Sequence, residues 1–168
     1  MTPADVLIDH FQRVADGVPD LVDGLSEDDL AWRPDPAANS IGWLVWHLLR
    51  VQDDHVAEVA EREQVWTGQG FAVRFGLPFD EAATGWGQSS EEVGQVRVAA
   101  ELLVEYAAAV HAQSLDYLSG LGEADLDRIV DERWDPPVTL GVRLVSVVDD
   151  DAQHLGQAAY VRGLLTTR

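Results

Sequence analysis

Apolar residues recur every three to four positions along four long stretches, the spacing that gives a helix one buried face. Leu7, Phe11, Val14, Val18 and Leu21 form the first stripe. Thr2-Pro3 and Asp5 supply a cap, a first-turn proline and an acid at the positive end, so a helix is predicted from there to about Leu25. Ser26-Glu27-Asp28-Asp29 predicts a short capped turn that ends before Pro34 and Pro36, with Trp32 over one end of the core. Asn39-Ser40 starts a second long helix, expected to reach about Glu63, with Ile41, Leu44, Leu48, Val51 and Val59 facing inward. Ser89-Ser90-Glu91-Glu92 reads as the cap of a third, running to about Ser119 through Val93, Val96, Ala100, Leu103, Ala107, Val110 and Leu118. Another short turn is expected within 123–130. Thr139 then caps a fourth helix whose stripe includes Val147, Ala158, Val161 and Leu165.

Strand-like alternation is not evident. Four amphipathic helices with unequal connections predict an all-α fold, a four-helix bundle in one domain over residues 1–168. The long connection is the one between the second and third helices, residues 64–88. It carries Trp66, Phe71, Phe75, Phe79 and Trp86 among five glycines, so it is expected to pack on the bundle as a lid or flank.

Charge and composition narrow the chemistry. The net charge of −19 with no lysine argues against nucleic acid and against anionic membranes as partners. The chain has no cysteine, which excludes disulfides, thiolate ligands and a cysteine nucleophile. Any thiol chemistry would need a thiol brought in from outside. No apolar run approaches the ~18 residues of a membrane span. The start, MTPADVLIDHF, is acidic and amphipathic, unlike a signal peptide, so a cytoplasmic protein is expected.

Continuing the fourth helix's spacing inward from Val147 brings Asp150 and His154 onto its inner face. They are one turn apart, so both can point at the same spot. Burying either without a partner is costly, and Asp149 to Asp151 repel one another; a bound cation relieves both problems. A third ligand would come from another helix, as in metal sites built inside bundles. The candidates are His47, His55, His10 and His111. His55 is on the second helix's inner stripe and His47 on its shoulder, behind Trp43 and Trp46, and position alone does not choose between them. Two imidazoles and one carboxylate suit a catalytic zinc with one open position. Donors without sulfur also suit nickel, manganese or iron(II), and zinc or nickel is expected.

The segments WLVWHLLRVQDDH and DDDAQHLGQAAYVRG resemble the two signatures of the DinB-like superfamily, bacterial four-helix proteins that include the metal-binding domain of mycothiol-dependent maleylpyruvate isomerase. Many members carry a histidine on the second helix and His-x3-His on the fourth, before Gly-Gln or Gly-His. The isomerase branch has a carboxylate-x3-His pair instead, which Asp150-x3-His154 followed by Gly156-Gln157 resembles. The resemblance implies a divalent metal held by His47, Asp150 and His154 with an open position. It also implies a thiol S-transferase type of enzyme, in which the metal activates a low-molecular-weight thiol such as mycothiol or bacillithiol. The isomerase's second, C-terminal domain has no counterpart in this sequence, so maleylpyruvate isomerisation is not expected. Asp54 and Gln157 are expected to orient the attacking group, and Arg50 to hold an acidic group of the thiol cosubstrate. A homodimer is expected, because relatives often pair and six tryptophans exceed what one small core needs. The rival readings are a hydrolase using metal-bound water and a non-catalytic metal-binding or interaction protein.

Overall fold

The computed structural model describes residues 1–167. In chain order its helices are α1 (Pro3–Val22), α2 (Glu27–Ala31), α3 (Ile41–Ala60), α4 (Val65–Gly68), α5 (Phe71–Phe75), α6 (Ser90–Val93), α7 (Ala100–Leu118) and α8 (Leu140–Leu165). The four long ones, α1, α3, α7 and α8, make the predicted bundle. α3 packs on α7 and α8, and α1 packs on the same two. The starts follow from the caps. The Thr2 hydroxyl accepts from the Asp5 amide at 3.1 Å while the Asp5 carboxylate accepts from the Thr2 amide at 2.6 Å. Ser26 with Asp29 and Ser89 with Glu92 repeat this reciprocal pairing, and Ser40 and Thr139 cap α3 and α8 with their hydroxyls.

The core centres on α3. Trp46, Leu44 and Leu48 are fully buried with Val14, Val18, Leu103 and Tyr106 around them. Phe11, Val56, Leu118, Leu140, Leu144 and Val147 fill the other end. Each such aliphatic or aromatic side chain contributes roughly 1.5–3 kcal/mol by leaving water. Trp66, Phe71 and Phe75, from α4 and α5, gather around Tyr106 with ring centroids 5.0–5.6 Å away. The rest of the long connection crosses α3, so every residue from Ile41 to Arg50 is buried. The connection therefore packs as a flank, as its aromatics predict. No described helix is long and apolar enough to cross a membrane.

The structure departs from the sequence reading in three places. The third long helix starts at Ala100, not near Ser89: the Ser89 cap opens only the four-residue α6, closed by Gly94. Between them Val96 and Val98 are buried on either side of exposed Arg97, an extended run that a helical spacing rule absorbs by accident. Two short strands, β1 (Ile129–Asp131) and β2 (Val138–Thr139), pair antiparallel before α8. At three and two residues they are too short to show alternation. In α8 the buried stripe is Leu140, Leu144, Val147, Asp151, Ala158 and Val161. The aspartate inside the core is thus Asp151; Asp150 and His154 are half-buried on the flank that α8 turns toward α3.

Candidate metal centre

Three side chains from two helices converge on that flank. His47 of α3 and Asp150 and His154 of α8 each offer a ligand atom, and these atoms all lie within 4.8 Å of one another. His47 is 4% exposed. The histidine ring centroids are 4.8 Å apart at 71°, edge to face. His154 Nε2 is 3.5 Å from Asp150 Oδ1, while Asp150 Oδ2 is buried without a hydrogen-bond partner.

Hydrogen bonds select which nitrogen of each ring is free. His47 Nδ1 is 2.5 Å from the Thr84 carbonyl, which can only accept, so Nδ1 carries the proton and Nε2 keeps its lone pair. His154 Nδ1 donates to Gln157 Oε1 at 2.8 Å, with the same consequence. An imidazole whose far nitrogen donates to an oxygen is the usual setting of a metal-bound histidine. Burial lowers the pKa of His47 and keeps it neutral; the bond to Asp150 raises that of His154. His47 Nε2, His154 Nε2 with Asp150 as its neighbour, and a carboxylate oxygen without a partner are a donor set that fits a divalent ion such as zinc or nickel, which would take the place of the proton between His154 and Asp150.

The loop beside α3 is shaped for His47. Gly85 has φ +96°, and a Cβ there would lie 2.7 Å from His47 Nδ1 and 3.1 Å from Trp43 and Trp46. Only glycine lets the Thr84 carbonyl approach the ring this closely. Trp43 stacks on the other face of His47, with centroids 4.6 Å apart at 16°, and donates its indole N–H to Gln88 at 2.7 Å. A cavity of about 470 Å³ opens beside the ligands, walled by Val51, Asp54, His55, Thr84, Trp86 and Asp150.

A family model described as the DinB superfamily matches residues 10–158. The chain belongs to the DinB superfamily. A crystal structure of a conserved protein from Enterococcus faecalis is similar over 100% of this chain and 99% of that one, at 30% identity and a TM-score of 0.92. No curated protein matches the sequence. Family membership and the His/Asp/His cluster are compatible with a metal-dependent function.

Within this DinB bundle the other sequence candidates part ways. His55, expected deeper than His47, is the more open of the two. Its side chain is 38% exposed, and its Nδ1 accepts from Arg143 at 3.2 Å. His111 bonds Gln12 at 3.0 Å, and His10 bonds the backbone of Val148, so neither joins the cluster. Gln157 meets His154 Nδ1 through its amide oxygen at 2.8 Å. Asp54 lines the cavity and accepts from Gln64 at 2.7 Å.

Arg50 corrects the sequence reading. It is 0% exposed and donates to the Ala83 carbonyl at 3.2 Å, Gln64 at 2.9 Å and the Tyr106 hydroxyl at 3.3 Å. It ties the long connection to α3 and meets no molecule from solvent. Sequence reasoning missed Thr84 and Gly85. A backbone carbonyl leaves no side-chain signal, and the only clue was the pair of glycines bracketing Trp86.

Proposed function

We propose that this protein is a metal-dependent enzyme that transfers a low-molecular-weight thiol of the mycothiol type to an electrophilic small molecule. The observation that carries the reading is the pair of imidazoles, each held through Nδ1 so that Nε2 is turned to the cluster, meeting an unpaired carboxylate oxygen at the edge of a cavity. Three protein ligands leave a coordination position for an incoming group. A divalent ion there supplies a Lewis acid that makes a thiol or water ionise near neutral pH. His47, Asp150 and His154 hold the ion, Gln157 and the Thr84 carbonyl fix the two rings, and the cavity receives the thiol and the electrophile. The chain has no cysteine, so the sulfur nucleophile comes from the cosubstrate.

The test begins with elemental analysis of protein purified without added metal. Consumption of a haloalkane or epoxide with mycothiol or bacillithiol is then followed in wild type and His154→Ala. The expected result is metal- and thiol-dependent turnover that the variant loses. Equal rates in both refute the reading. Turnover of an ester without thiol assigns the site to hydrolysis by water instead.

A homodimer belongs to the same proposal. Trp43, Trp46 and Trp66 are buried in the core and Trp32 is half-buried; Trp86 lines the cavity, and Trp134 is exposed, as are Val142 and Val145 of α8. Light scattering with size exclusion, at the mass of two chains, supports it; a single-chain mass rejects it.

A further inference from the structure

The cavity beside the ligands has two acids and no arginine in its lining. Asp150 belongs to the ligand set, where a bound ion would offset its charge, so Asp54 is the acid left to the cavity. Asp54 gives Oδ1 to Gln64, while Oδ2 has His55 Nδ1 as a neighbour at 3.7 Å. That nitrogen already accepts from Arg143, and burial lowers the pKa of His55, so the ring brings no positive charge. Arg143 itself is bound to Glu58 and to Asp131. Arg50 is sealed beneath the loop. Asp54 therefore stands in the cavity wall with no cation from the described residues paired to it.

The same lining supplies an aromatic face. Trp86 is 89% exposed, although it lines the cavity, and it stands between Gly85 and Gly87, both at positive φ. An indole in this position offers apolar area and a face that attracts cations.

We propose that the cavity selects thiols with a positively charged head group, held by the Asp54 carboxylate and the Trp86 indole. This rests on the thiol-transfer reading, which puts the sulfur at the ligand set. Asp54 and Trp86 are then specificity-determining residues and take no part in binding the metal.

Three thiols with the same two-carbon arm test it: thiocholine, its uncharged tert-butyl analogue in which carbon replaces nitrogen, and mercaptoethanesulfonate. Each is titrated into the cobalt(II)-loaded full chain and followed by the sulfur-to-metal charge-transfer band. Thiocholine is expected to bind about tenfold more tightly than the sulfonate, the preference shrinking in high salt. Asp54→Asn should cut that preference to about threefold, the part that the Trp86 face supplies. Trp86→Ala, at an exposed position that does not threaten folding, should weaken thiocholine more than the uncharged analogue. Equal or tighter binding of the sulfonate by the wild type, or a preference that Asp54→Asn leaves undiminished, overturns the inference and leaves thiol transfer standing. A metal-loaded protein that binds none of the three overturns both.

Discussion

One turn apart on α3, His47 and Arg50 belong to two buried polar regions of opposite character. On the side facing α7 the polar groups close on one another. Asp53 accepts from the amides of Val65 and Trp66 at 2.9 and 2.8 Å and from the Tyr106 hydroxyl at 2.8 Å, with Arg50 at 3.6 Å. Burial raises the pKa of Asp53, and these donors oppose the rise. Arg50 spends two of its nitrogens on acceptors and lays its guanidinium over the Trp66 ring at 4.8 Å, which leaves its Nη2 without a hydrogen bond. On the side facing α8, bonds to Thr84 and Gln157 orient the rings, but Asp150 Oδ2 is buried without a partner and the nearest neighbour of His154 Nε2 is Asp150 Oδ1 at 3.5 Å, beyond a good hydrogen bond. A closed network joins segments of chain. An open one beside a cavity is set for something from outside.

The largest expected effect comes from opening the closed side. Asp53→Ala strips α4 of its cap and leaves Arg50 charged and buried without its acid, which should cost about 3–5 kcal/mol. Denaturant unfolding reads this, and metal uptake by the folded fraction should be unchanged. If metal uptake fell with stability, the two sides would be one unit and the contrast would fail.

The open side is probed through its loop. Gly85→Ala drives a methyl into His47 and should weaken metal binding by about 10- to 100-fold, the range for lost outer partners of a ligand. Gly87→Ala imposes a similar backbone cost at φ +73° but has nothing within 4 Å, so its affinity should match wild type. Competition with a chromophoric chelator measures both, and an equal loss in the two would mean that loop strain, not the contact with His47, sets the affinity.

Asp151 sharpens the comparison from a third direction. It is 0% exposed, neither carboxylate oxygen has a partner, and burial raises its pKa well above the ordinary range. Asp151→Leu should therefore stabilise the fold by about 2 kcal/mol, the cost of an unmet buried polar group, raising Tm by roughly 5 °C. A fall in Tm would show that the carboxyl has a partner in solution.

The smallest effect concerns Asp131, held by Arg133 at 2.8 Å and Arg143 at 3.3 Å, which lowers its pKa. A depressed folded pKa adds stability that is complete above the unfolded value of about 4 and is lost as the pH falls through the folded one. The Tm gap between wild type and Asp131→Asn should be full at neutral pH and shrink under acid. A gap that widens under acid would contradict the assignment.

Much of the fold was legible because capping chemistry is local. Thr2, Ser26, Ser40 and Thr139 each start a helix where their hydroxyls can reach a free amide. Ser89 misled for the same reason, since a cap marks a start and says nothing about length. Periodicity lost its meaning along α3, where neighbours cover residues 41–50 on all sides and the contrast between His47 and His55 disappears. It failed by one residue in α8, giving Asp150 the place that Asp151 holds. Asp150 and His154 were still found as a pair, because their one-turn spacing does not depend on which face is buried. Arg50 was misread because a buried guanidinium and a cosubstrate-binding one have the same letter; only the partners Ala83, Gln64 and Tyr106, far along the chain, distinguish them.

The most direct measurement is the divalent metal content of the purified chain beside that of His47→Ala, by elemental mass spectrometry after exhaustive dialysis. One ion per chain in wild type, lost in the variant while its helical circular dichroism is retained, is the expected result. Wild-type protein that holds no divalent ion even when supplied with zinc or nickel, or a variant that holds one as tightly, would contradict the claim that α3 and α8 meet around a metal.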